Sequence, residues 1–166
     1  MTQDNPHELK FATKFPDWHP RKGEPTYFAG QLLNAVGDLT DVDVSKFVEK
    51  MTWVSDVNFI PKGDWRMENL KLHTARKGHT FKVGDWIQPI TEDGVKICPP
   101  LQLTWVKSFE WDKKPMLDGK WIQFMGQLSS IAENDGLSVS DFNNWFSREP
   151  FDGQLIGWTA DPYTNL

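Results

Sequence analysis

Cysteine is nearly missing from this chain. Cys98 is the single one in 166 residues, so no internal disulfide can form and no cysteine-based zinc site exists. It lies in the apolar run V-K-I-C-P-P and reads as a small core residue. No run approaches the ~20 apolar residues of a membrane span. The first residues, Met1 to Glu8, are polar and lack the apolar centre of a signal peptide. There is no G-x-G-x-x-G, P-loop or G-x-S-x-G pattern, no internal repeat and no low-complexity stretch. His73 and His79 stand six apart, a spacing that suits neither one helical face nor a ligand pair. The expectation is a cytosolic protein with no membrane association, no metal and no cofactor.

Aromatics are plentiful instead: nine Trp and eleven Phe. Each is first of all a core anchor, because each buries a large area. Collectively they could also supply a stacking surface for bases. Hydrophobic residues make up 39% and charged residues 25%, the balance of one ordinary globular domain. Net charge is −5, which argues against nonspecific nucleic-acid binding. The charge is uneven, however. Residues 62–82 hold six basic residues against two acidic, while the flanks hold six against nine and six against twelve. The middle is the basic island of an acidic chain.

Residues 1–10 read as frayed. Phe11 to Pro25 carries Pro16, Pro20, Gly23 and Pro25, and so reads as an ordered loop. Thr26 caps a helix whose Phe28, Leu32, Leu33 and Val36 share a face and which Gly37 closes. A second helix is expected from Asp43 to Met51. The run W-V-S-D-V-N-F-I reads as strand and Pro61 to Asp64 as a turn. Strands are expected at Leu70–Arg76, Trp86–Ile90 and Val95–Cys98, along Leu101–Trp111, and at Trp121–Phe124 and Gln154–Trp158. Glu92-Asp93-Gly94 makes a hairpin turn. Helices are expected at Leu128–Asp135 and Val139–Phe146, the second opened by Ser138 with Asp141 three residues on. Short, mostly antiparallel strands with flanking helices predict an α+β domain built on a small β-barrel.

The chemistry concentrates in L-K-L-H-T-A-R-K-G-H-T-F-K-V-G-D-W, Leu70 to Trp86. Lys71, Thr74 and Arg76 are spaced K-x-x-T-x-R, and Gly84-Asp85 follows. Strict strand alternation would put Lys71 and Thr74 on opposite faces. They converge only if the strand bends, bulges or turns between them. An amine, a hydroxyl and a guanidinium together can hold a nucleobase or phosphate, with Lys77 on phosphate and Trp65 or His73 stacking on a base. The same groups with a carboxylate could hydrolyse an amide.

This segment resembles the ASCH domain, a β-barrel family related to the PUA-like RNA-binding fold, whose hallmark is K-x-x-T-x-R followed by a G-D pair. A second block, A-E-N-D-G-L-S-V-S-D-F from Ala132 to Phe142, is similar to the family's A-x-x-E-G/N-x-S/T pattern, and G-Q-L-I-G-W fits its last strand. The likeness covers roughly residues 65–160, with residues 11–64 as a helical extension. The front F-P-x-W-H-P-x-x-G-x-P-T-x-F looks like a longer variant of phage and prophage proteins, which would place the chain in a bacterial or phage-infected cell. The resemblance implies binding of RNA or a modified nucleoside or nucleotide in the Lys71/Thr74/Arg76 pocket. Some members are amidohydrolases that deacetylate acetylated cytidine with a Lys, a Thr and a Glu. Here those positions are Lys71, Thr74 and Asp135, and Asp for Glu withdraws the carboxylate by one methylene. A displacement of about 1 Å can cost on the order of a hundredfold in rate. A third reading is a phage accessory protein that binds a host protein or signalling nucleotide.

Overall fold

The segment W-V-K-S-F-E-W forms the strand on which the larger sheet is built. This strand, Trp105–Trp111 (β5 in chain order), buries Trp105, Phe109 and Trp111 on one face. It pairs along its whole length, antiparallel, with the last strand β8, Phe151–Gly157. The computed structural model describes residues 1–54 and 70–166. The other elements, in chain order, are β1 His7–Phe11, α1 Phe28–Leu39, α2 Ser45–Val54, β2 His73–Lys77, β3 Trp86–Thr91, β4 Leu101–Gln102, β6 Pro115–Leu117, β7 Lys120–Trp121, α3 Met125–Asn134 and α4 Val139–Phe146.

Two sheets result: five strands in the order β2-β8-β5-β6-β7, and three in the order β1-β3-β4. Among the described residues, all strand pairings are antiparallel except β1 with β3. The fold is α+β and mostly antiparallel, as the strand pattern predicts. Among the described residues, no ladder joins the two sheets into a closed barrel. No described helix is long and apolar enough to cross a membrane.

Several elements differ from expectation for local reasons. The N-terminus does not fray through residue 10. His7 enters β1, which runs in register with β3 from His7↔Ile87 to Phe11↔Thr91 and buries Leu9 and Phe11. The run Leu101–Trp111 is two strands. At Leu103 and Thr104 the backbone leaves one sheet for the other: Leu103 N–H donates to the Asp85 carbonyl, and Thr104 N–H to the Gly157 carbonyl. Helix α1 passes through Gly37 to Leu39, with Val44 packed at the glycine. The residue at its N-cap position is Tyr27 at φ 60°, while the Thr26 hydroxyl accepts from the first helical N–H, that of Phe28, at 3.4 Å and donates to the Ala12 carbonyl at 2.5 Å. Helix α2 takes in Trp53 and Val54. The remainder of that expected strand, the Pro61–Asp64 turn and Trp65 lie outside the described residues. Only β7 remains of the strand expected at Trp121–Phe124, and Val95–Cys98 contributes a single bridge, Ile90↔Lys96. Helix α4 begins as read, with the Ser138 hydroxyl accepting from Asp141 N–H at 3.0 Å.

Gly157 ends β8 between two neighbours, facing His73 of β2 and Trp105 of β5. The Trp105 indole lies where a Cβ on Gly157 would stand. Replacing it with alanine forces the ring out of a packed core, at about 1–3 kcal/mol. A Gly157→Ala variant is expected to lower the urea midpoint accordingly without changing its m-value. An unchanged midpoint would mean that the indole moves freely.

Candidate functional site

Lys71 and Thr74 converge because β2 starts late. Residues 70–72, just before it, are not in a sheet. Lys71 N–H donates to the Gln31 carbonyl of α1 at 3.3 Å, and Leu72 N–H to the Asn134 carbonyl of α3 at 2.7 Å. The chain is thus strapped across two helix backbones before it becomes a strand at His73, and alternation does not apply across that junction. From there it does: Thr74 and Arg76 turn to one face, and His73 turns to the other.

The carboxylate comes from the end of α3, in A-E-N-D-G-L. Gly136, at φ 81°, donates to the Glu133 carbonyl, and Leu137 N–H donates to the Ala132 carbonyl. This pair of bonds is the glycine-terminated Schellman ending of a helix. It leaves Asp135 as the capping residue, with both its carbonyl and its side chain beside the Lys71 amine. Nζ donates to the Asp135 carbonyl at 2.6 Å and to Oδ1 at 2.5 Å. A helix C-terminus carries partial negative charge, so both the helix end and the carboxylate favour the cation. The Phe28 ring adds its face, with its centroid 3.9 Å from Nζ. Gln31 locks α1 to the same turn, its Nε2 donating to the Gly136 carbonyl at 3.2 Å.

Lys71 is 1% exposed and Asp135 3%. Burial lowers the Lys71 pKa, against the pull of Asp135. Burial raises the Asp135 pKa, against the pull of Lys71 and Arg76. Arg76 is brought down by burial to about 10, still charged at neutral pH. Its guanidinium carbon sits 4.9 Å from the Phe11 ring centroid, and its buried Nε has no hydrogen-bond partner among the described residues.

These groups border one cavity of about 280 Å³. Lys71, Thr74, Arg76 and Asp135 supply its polar wall, and Phe11, Phe28, Trp145 and Phe146 its aromatic one. Exposed Lys10 and Glu92 stand among its lining residues, Glu92 accepting from the Thr13 hydroxyl at 3.2 Å. The sequence reading missed this aromatic wall. Phe11 opens a segment that reads as an ordered loop, and Trp145 and Phe146 read only as helix residues. Their sole signal was a W-F pair in a helix adjoining the carboxylate block.

The other expected site residues are placed elsewhere. His73 is not a stacking residue. It is fully buried on the opposite face, bonded to the Tyr163 hydroxyl at 2.7 Å and edge-on to Trp105. Burial, with the Lys71 charge, lowers its pKa well below the usual range. Lys77 is exposed at the strand end and does not line this cavity. His79 pairs with Asp152 at 2.6 Å. Gly84-Asp85 is a turn: Gly84 at φ 92° donates to Leu103, and the Asp85 carboxylate accepts from Lys82 N–H. Comparison with protein-family models, with curated proteins and with solved structures returns no match.

Removing one member of a buried ion pair strands the other charge, at about 3–5 kcal/mol, whereas replacing both with apolar groups is often neutral or stabilising. Asp135→Asn is therefore expected to be strongly destabilised, and Lys71→Met/Asp135→Leu to match or exceed wild type in urea melts. The pH dependence has a definite sign. A raised carboxyl pKa makes wild type lose stability as pH rises from 3.8, the ordinary Asp value, through the folded value. A lowered amine pKa makes it regain stability as pH rises from the folded value towards 10.5. The advantage of the double variant should therefore peak between these two windows. A pH-independent difference would refute the buried-pair account.

Proposed function

We propose that this cavity binds the base of a modified nucleoside, free or within RNA, as in ASCH-type proteins. The observation that carries the proposal is a base-sized, aromatic-walled cavity that brings together Lys71, Thr74, Arg76 and Asp135. A volume of about 280 Å³ lies at the small end of ligand sites. It suits one planar ring system, with sugar and phosphate at the mouth. The Phe and Trp side chains offer apolar surface to the ring. Arg76 Nε, Thr74 and the Lys71–Asp135 pair offer donors and acceptors to its edge. The cations Lys71, Arg76 and Lys10 outnumber the carboxylates Asp135 and Glu92 around the cavity, which favours a ligand carrying phosphate. In this reading the two sheets are an open form of the PUA-like barrel.

The second reading is amide hydrolysis of an acetylated cytidine, favoured by the contact of Lys71 with Asp135 on a cavity that Thr74 also lines. Thr74 Oγ1 would add to the acetyl carbonyl while Lys71, as free amine, takes the hydroxyl proton. Asp135 would hold the lysine in place, and Arg76 would face the oxyanion. Collapse would expel the cytosine amine, which takes up the proton from Lys71, and water would then release acetate from the threonine ester. The two readings differ in the proton at Lys71: binding needs only the ammonium, whereas catalysis needs the amine, towards which burial shifts the group.

Incubation with acetylated cytidine separates them. Acetate released across roughly pH 6–9, and abolished in Thr74→Ala, is the result expected of an enzyme; no release by wild type ends that reading. For binding, short single-stranded RNA carrying acetylated cytidine is titrated at low salt. Arg76→Ala should bind at least about tenfold more weakly, since a charged hydrogen bond contributes roughly 1.5–3 kcal/mol. Equal, weak binding by wild type and variant would remove the proposal.

A further inference from the structure

Beside the cavity lies a second depression of about 260 Å³, which shares Ala75, Arg76, Trp145 and Phe146 with it and adds Trp18, Lys77 and Glu149. Trp18 is 40% exposed. Its exposure is enforced by its neighbours in the W-H-P-R loop. His19 is buried, its Nδ1 accepting from Arg21 N–H at 3.1 Å and its Nε2 donating to the Asp141 carbonyl at 3.2 Å. Arg21 donates to the Asp141 carboxylate at 2.8 Å and to Glu24 at 2.7 Å. The loop is therefore pinned to α4 at two adjacent points, and Trp18 is held outward against Trp145, edge to face at 5.8 Å. The Arg148 guanidinium carbon lies 4.9 Å from the Trp18 ring centroid.

Building on the base-binding reading above, we propose that this outer shelf holds the nucleotide next to the bound base, so that the ligand is single-stranded RNA rather than a free nucleoside. Trp18 offers a ring for stacking. Among the residues lining the depression, Arg76 and Lys77 set two cations against the carboxylate of Glu149, and Arg148 lies against the Trp18 ring beside them, an arrangement that suits a phosphodiester. Arg76 borders both depressions, where the phosphate joining the two nucleotides would pass. An acidic chain gains RNA affinity from this local wall and not from its overall field, so binding should be salt-sensitive.

The test compares two probes by calorimetry: acetylated cytidine as the nucleoside, and an RNA trinucleotide carrying the same base at its centre. Wild type is expected to bind the trinucleotide at least about tenfold more tightly. Trp18→Ala should reduce that ratio about five- to a hundredfold, the range of one lost base stack. Lys77→Gln alters only an exposed side chain and so keeps the test free of folding effects. It should lower the slope of log affinity against log salt by about 0.7, one phosphate contact on a single strand. The shelf is overturned if both variants bind the trinucleotide as wild type does, whether tightly, weakly or not at all. If the nucleoside fails to bind wild type while the trinucleotide binds with Trp18 dependence, the inner-cavity reading falls and the shelf stands. If the nucleoside binds and the trinucleotide gains nothing, only the shelf falls.

Discussion

The bond from the Lys71 amine to the end of helix α3 organises this protein. An ammonium withdrawn from water needs compensation, and it receives it from one residue twice, through the Asp135 carbonyl and carboxylate. That requirement goes with the backbone of Lys71 and Leu72 crossing α1 and α3 outside the sheet. It also orients the strand itself. Once β2 begins at His73, its next residues must alternate, and Thr74 and Arg76 turn towards the side on which Lys71 lies. The five-stranded sheet thereby acquires a polar edge facing a gap between helices. Such a pair adds little net stability compared with an apolar replacement, because desolvation offsets the attraction.

The front of the chain closes this gap. Phe11 ends a strand held in place by β3, Phe28 opens α1, and the W-H-P-R loop is bolted to α4 through His19, Arg21 and Asp141. Residues that read as an extension ahead of a barrel are thus one wall of the candidate site. The aromatic supply divides accordingly. Trp105, Phe109, Trp111 and Phe142 fill the core, Phe11, Phe28, Trp145 and Phe146 line the cavity, and Trp18 reaches solvent.

The elements that were legible share one property: their signals are local. Helix α4 starts where Ser138 and Asp141 place it, because a side chain reaching a backbone N–H three residues on needs no tertiary partner. The turn at Gly136 is likewise written in A-E-N-D-G-L, as a glycine that accepts positive φ just after the helix. The illegible elements depend on partners distant in sequence. β1 is a strand because β3 lies alongside it, some eighty residues later. The run Leu101–Trp111 breaks where its backbone changes partners between two sheets. His73 resembles Thr74 as a site candidate by position alone, yet strand alternation gives it to the core.

Composition, periodicity and spacing alone determine an α+β domain, a basic island in an acidic chain, and the residue types Lys71, Thr74 and Arg76 as a chemical set, to which only the resemblance of the second block adds Asp135. They can do so because charge, helical period and turn chemistry are properties of a few adjacent residues. Folding alone settles that Lys71 and Asp135, 64 residues apart, meet at 2.5 Å, that aromatic rings from both ends of the chain enclose them, and that His73 and Lys77 stand outside. Those outcomes depend on where a strand begins and on which backbone its first residues can bond, and no local stretch of sequence contains that information.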